Sequence, residues 1–174
     1  PSFTFPAIGC LPNANVTFTN NSSIPDGTQA SFIYLWNFGD PGSGGANTST
    51  LMNPSHSYNA VGPYNVNLQV TSVSGCVHDT TIILNSIHPQ PLASISSDKI
   101  DVCIGGSISF SSVNNPMDGT TTAWNWDLDD GSGRTTNSFT HIYAIVGVYD
   151  VTHYITNNFN CRSNTATLTV SVNP

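Results

Sequence analysis

The chain of 174 residues contains no glutamate and only three basic residues, Lys99, Arg134 and Arg162. Charged residues make up 7% of it, against roughly 25% in an average soluble protein. All ten acids are aspartates, and the formal net charge is −7. A nucleic-acid surface needs a basic stripe, which three scattered cations do not supply. Attraction to anionic lipid is excluded on the same ground. No run of about 18 apolar residues occurs, so no helical membrane span is expected. The opening Pro1-Ser2-Phe3-Thr4 carries no basic and then apolar segment, so no signal peptide is expected in this stretch. Gly-x-Ser-x-Gly, His-Glu-x-x-His and phosphate-loop motifs are missing too. A glycosidase pair would have to be two aspartates, and no such pair recurs. The expectation is a chain that is not an enzyme and has no firm cofactor.

Asn, Ser and Thr supply the polarity instead, and the 38% apolar content is that of a folded chain. The strongest signal is internal repetition. Cys10 aligns with Cys103, Val16-Thr17-Phe18 with Ile108-Ser109-Phe110, and Trp36 with Trp126. His56-Ser57-Tyr58 aligns with His141-Ile142-Tyr143, Gly62–Val66 with Gly147–Val151, and Cys76 with Cys161. The offset falls from 93 (Cys10 to Cys103) to 85 (Cys76 to Cys161), as a few loop insertions produce. Within each repeat the period is two, not 3.6. Phe32, Tyr34, Trp36 and Phe38 form one stripe, and Thr122, Trp124, Trp126 and Leu128 its counterpart. Tyr64, Val66, Leu68 and Val70 alternate with polar neighbours, and clusters of Asn, Ser, Gly and Pro separate such runs. The pattern predicts an all-β chain of two tandem sandwiches, residues 1–88 and 89–174, with roughly seven strands each and no convincing helix.

Ile87-His88-Pro89-Gln90-Pro91-Leu92 joins the repeats, and its two prolines favour an extended, semi-rigid connection. The chain starts and stops at the same phase of the repeat, as a segment of a longer array would. The four cysteines occupy equivalent positions, two per repeat. Of the three possible connectivities, pairing within repeats, Cys10 with Cys76 and Cys103 with Cys161, is the simplest. Each bridge would contribute about 4 kcal/mol in the chain-entropy model. Disulfides imply an oxidising, extracellular setting. Closely spaced cysteine pairs, the usual zinc arrangement, are missing.

Trp36-Asn37-Phe38-Gly39-Asp40, Asn53-Pro54-Ser55-His56-Ser57-Tyr58, Gly62–Val70 and Gly75-Cys76 together resemble the polycystic kidney disease (PKD) domain. The second copy is looser: Trp126-Asp127-Leu128-Asp129-Asp130-Gly131, then Thr140-His141-Ile142-Tyr143, with His153 at the place of Leu68. The resemblance implies an immunoglobulin-like sandwich, found in tandem in large cell-surface or secreted proteins as a spacer, an adhesion module or an appendage of hydrolases. The flanking cysteines are similar to those of copies in surface and secreted proteins of Bacteroidetes type. The implied role is a structural spacer in an exported surface or filament protein. The alternative is an accessory module of a secreted hydrolase that binds carbohydrate or protein. The expected partners are neighbouring repeats of the same chain, with polysaccharide or a surface protein as further candidates.

The candidate residues have competing readings. His56 and His141 recur, so both repeats need them; the structural reading is a hydrogen-bonded histidine packed beside Tyr58 or Tyr143. Asp127, Asp129 and Asp130 offer hard oxygen ligands for calcium; the alternative has Asp40 and Asp130 accepting backbone N–H groups in their turns. Trp36 and Trp126 suit either the core or a sugar-stacking platform, and their parity favours the core. Asn15, Asn20, Asn21 and Asn47 lie in N-x-S/T sequons, and Thr80 follows Asp79 in a candidate O-glycosylation site.

Overall fold

A computed structural model describes residues 1–6, 9–12 and 14–174. It is 53% strand and 6% helix, the helix being short 3-10 segments at Thr28–Ser31 and Pro41–Asn47. The chain divides into two compact units, Pro1–His88 and Pro89–Pro174.

In the first unit, one sheet runs in the order Thr48–Ser49, Ile33–Asn37, Tyr64–Thr71, Val77–Leu84, all antiparallel. Facing it are Ala14–Thr17 paired with Ser55–Tyr58, and Phe3–Thr4 paired with Thr19–Asn20. The predicted alternation places its stripe inward. Trp36, Phe38, Val66 and Leu68 are fully buried, while Ile33 and Leu35, of opposite parity, face solvent. Phe32 and Tyr34 pack against the same core from its rim. Val16, Phe18 and Tyr58 fill it from the other layer. Phe18 meets Trp36 at a ring separation of 5.7 Å and Phe38 at 5.4 Å, so the layers join through aromatic contacts.

The second unit repeats the plan. Its larger sheet has the order Asp101–Cys103, Ala166–Asn173, Gly147–Asn157, Thr121–Asp127, Gly133–Arg134. The facing sheet has Leu92–Ser97, Ser107–Asn115 and Ser138–Ile142. Its core gathers Ile108, Phe110, Trp126, Leu128, Tyr143, Val151, Val170 and Val172. Trp124 packs against this core while only partly buried.

The expected bridges within repeats are not formed: Cys76 and Cys103 are free and exposed, whereas Cys10 and Cys161 are disulfide-bonded. Sheet register explains this. Cys10 lies beside His88, on a short strand parallel to the end of the first unit. Cys76 lies in the hairpin turn at the opposite end, where its N–H donates to the Ser72 hydroxyl. Between them the hairpin runs from Thr71 opposite Val77 to Tyr64 opposite Leu84, roughly 23 Å at about 3.3 Å per residue. A disulfide needs Cα atoms within about 7 Å. The second unit has the same geometry. Cys103 sits opposite Asn173 at one end, and Cys161 in the turn at the other, its N–H donating to Asn157 Oδ1.

Candidate functional site

The repeated motif forms a small polar cluster at the edge of each core. Trp36 anchors it, its indole N–H donating to the Leu51 carbonyl at 2.9 Å. Trp126 does the same to Thr136 at 3.0 Å. After Phe38 the chain turns sharply. The Asn37 side chain accepts the Gly39 N–H at 2.9 Å, as Asp127 accepts that of Asp129 at 3.0 Å. Gly39 has φ 70° and Asp129 φ 61°, so both copies need a left-handed residue here.

The turn brings each second aspartate to the repeated histidine. His56 Nε2 lies 3.0 Å from Asp40 Oδ2, and His141 Nε2 lies 2.7 Å from Asp130 Oδ2. His56 stacks on Phe38 at 4.6 Å and meets Tyr58 edge-on; His141 meets Tyr143 in the same way. The Tyr58 hydroxyl donates to the Phe38 carbonyl at 3.0 Å, and that of Tyr143 to Leu128 at 3.2 Å. Burial, followed by the charge of Asp40 or Asp130, pushes both phenols well above their ordinary pKa. They therefore remain protonated donors at any physiological pH. Burial works against ionisation of Asp130, yet the Ser132 hydroxyl and N–H, together with His141, hold its carboxyl below the usual range.

A histidine paired with an aspartate is also two-thirds of a nucleophilic triad. In this chain the pair is held by internal contacts. Arg134 approaches the other ring nitrogen of His141 at 3.5 Å, which makes Nδ1 the acceptor and Nε2 the donor to Asp130. His56 is 5% exposed, stacked on Phe38 with Tyr58 edge-on against it. The geometry ties the turn to the facing strand.

Asp40 differs from the expectation that it accepts turn N–H groups. Asn37 and Asn47 take the N–H groups of Gly39 and Asp40, so the Asp40 carboxylate is turned to His56. Sequence reasoning missed this Asp–His link, although both partners recur in both repeats. Asp130 does accept the Ser132 N–H at 2.9 Å. In the acidic cluster Asp129 accepts the Asp150 N–H at 3.0 Å. The three carboxylates of Asp127, Asp129 and Asp130 thus hold separate donors. Among the described residues no group of three or more His, Cys, Asp or Glu is arranged to hold a metal.

Of the sequon asparagines, Asn15 is exposed on its strand. The amide of Asn20 donates to Tyr34, that of Asn21 to Thr4 and that of Asn47 to Asn37. Thr80 is half-buried opposite Leu68.

His153 is fully buried in the second core, stacked on Trp126 at 3.8 Å. Nδ1 donates to the Asn125 carbonyl at 3.0 Å, which leaves Nε2 to accept from Ser112 at 2.7 Å. Burial lowers its pKa from 6.5, with the Asn125 bond partly opposing. The unfolded chain thus binds a proton at higher pH than the folded one. Stability is complete above about 6.5 and falls as pH drops toward the folded value. His153→Leu, which copies Leu68 of the first repeat, should remove this component. Urea midpoints at pH 7.5 and 5.5 test it: the second repeat should lose less stability on acidification in the variant than in the wild type. An unchanged loss would contradict the assignment.

The chain matches the PKD domain over residues 9–85 and again over residues 88–172. It belongs to the PKD family. Solved structures resemble single PKD repeats or both together. The PKD1 domain of the Vibrio cholerae metalloprotease PrtV is 22% identical, covering 49% of this chain and 99% of its own, with a TM-score of 0.43. The Clostridium thermocellum CbhA fibronectin(III)-like modules are 13% identical, covering 99% and 94%, with a TM-score of 0.49. A structure described under the promiscuous specificity of carbohydrate-binding modules from the β-sandwich superfamily is 25% identical. That match covers 48% of this chain and 34% of that one, with a TM-score of 0.46. The two family matches make the chain two consecutive PKD domains.

Proposed function

We propose that this PKD pair is a non-catalytic spacer of an exported surface protein, holding other parts of that protein at a distance. One observation carries the reading. Of the seventeen aromatic residues, three Trp, six Tyr and eight Phe, nine are buried and the other eight, Trp124 and Tyr154 among them, are half-buried, so none stands fully out in solvent. Sugar-binding surfaces present aromatic faces to solvent, where a pyranose ring stacks on them. Here Trp36 and Trp126 are core residues, and the Tyr154 ring is covered by the Arg162 guanidinium at 3.7 Å. The Asp–His–Tyr constellation present in both repeats is engaged in internal hydrogen bonds. The bonded state of Cys10 and Cys161 supports an oxidising, extracellular location. No helix is long and apolar enough to cross a membrane among the described residues.

A screen of the two-repeat protein on immobilised polysaccharides tests the proposal. The expected result is signal no greater than that of an unrelated β-sandwich. Selective retention on one polysaccharide would replace the spacer with a carbohydrate-binding accessory module.

A further inference from the structure

The four cysteines form two structural classes. Cys10 and Cys103 each end a short strand that pairs in parallel with the end of their own unit. Cys76 and Cys161 each close a hairpin turn by the same bonds. Ser72 N–H donates to the Cys76 carbonyl at 2.9 Å, and Asn157 N–H to that of Cys161 at 3.1 Å. A left-handed residue, Gly75 or Asn160, precedes the cysteine in each case. The classes lie at opposite ends of a sandwich, too far apart to join within one repeat. One member of each class is oxidised, Cys10 and Cys161, and one member of each is a free exposed thiol, Cys76 and Cys103.

We propose that Cys76 and Cys103 are cross-linking positions, each forming a disulfide with the opposite class of cysteine on a further repeat of this kind. The oxidised state of Cys161 and Cys10, their structural equivalents, is the first support. The second is the surroundings of each thiol. Cys76 opens onto a surface cavity of about 360 Å³ lined by Ile24, Phe32, Val70 and His78 together with four serines and Pro1. Cys103 is flanked along the chain by the exposed Ile100 and Ile104. The Ile104 N–H donates to the Asn173 carbonyl, and the Ile100 carbonyl accepts the Ser171 N–H. The hollow at Cys76 and the exposed isoleucines flanking Cys103 favour pairing of the one thiol with the other over like-with-like pairing. Two thiols lose two protons and two electrons as the S–S bond forms. The oxidant is a disulfide, such as that of a thiol oxidase or oxidised glutathione, which leaves as two thiols. The inference rests on cysteine geometry and is tested independently of ligand binding.

The test uses a second copy of the chain as the further repeat. Iodoacetamide on the native protein should label Cys76 and Cys103 and spare Cys10 and Cys161. Cys76→Ser and Cys103→Ser variants, both at exposed positions, are then incubated with oxidised glutathione, separately and as an equimolar mixture. The mixture should form a Cys76–Cys103 dimer about tenfold or more faster than either variant forms a dimer alone. Equal rates in all three samples would overturn the proposal, since reactivity would then be that of any surface thiol. Cross-linked peptides joining Cys10 to Cys76, or Cys103 to Cys161, would overturn it as well.

Discussion

Trp36→Ala should destabilise the first repeat by about 3–5 kcal/mol, the usual cost of truncating a fully buried Trp or Phe. Trp36 is 0% exposed and meets Phe3 at 5.0 Å and Phe18 at 5.7 Å. Its removal opens a cavity that aromatic neighbours on two layers cannot close. It also strips the Leu51 carbonyl of its donor, adding about 1 kcal/mol if that group stays dry. Small domains are typically stable by only about 5–15 kcal/mol, so the loss is a large fraction of the total. Urea denaturation followed by circular dichroism should show one transition moved to much lower denaturant and one unmoved, because Trp126 organises a separate core. A joint shift of both transitions would mean that the repeats do not fold on separate cores.

Gly39→Ala is the other large effect, about 3 kcal/mol in the first repeat. The glycine has φ +70°, and a Cβ there would lie 2.6 Å from the Asn65 carbonyl oxygen and 2.8 Å from its nitrogen. Left-handed backbone costs an L-residue about 1–2 kcal/mol, and forced overpacking typically another 1–3. The second repeat supplies the control. Asp129 holds the same place at φ 61°, and its carboxylate reaches the Asp150 N–H, the equivalent of Asn65. There the strands leave room for a side chain and use it. Asp129→Gly should therefore cost only about 1 kcal/mol, the net value of one hydrogen bond. Urea midpoints of the two variants check the asymmetry, which vanishes if the turns are equivalent.

Strand parity made much of this fold legible. Trp36 and Phe38 share a face because side chains alternate, and the duplication showed twice which face is apolar. The cysteines were misread because equivalence between repeats carries no distance within one. Cys10 and Cys76 recur together, yet an entire hairpin separates them. Only register reveals this, and register comes from pairing partners that the sequence does not state. The Asp–His link escaped for a related reason. Asp40 precedes His56 by a loop containing the Pro41–Asn47 segment, and a turn aspartate has several nearby N–H groups to choose from. In the structure Asn37 and Asn47 satisfy those groups first. The same competition explains the acidic loop of the second repeat, where Asp127, Asp129 and Asp130 each hold a different donor.

The central claim is that Trp36 and Trp126 are core residues and that no aromatic side chain stands fully out in solvent as a stacking platform for a sugar. Titration calorimetry of the native two-repeat protein with the soluble oligosaccharides of any polysaccharide tried in the screen tests this most directly. The account predicts heats indistinguishable from dilution at millimolar sugar. Saturable heat with one-site stoichiometry, abolished by substitution of a single aromatic residue, would contradict it.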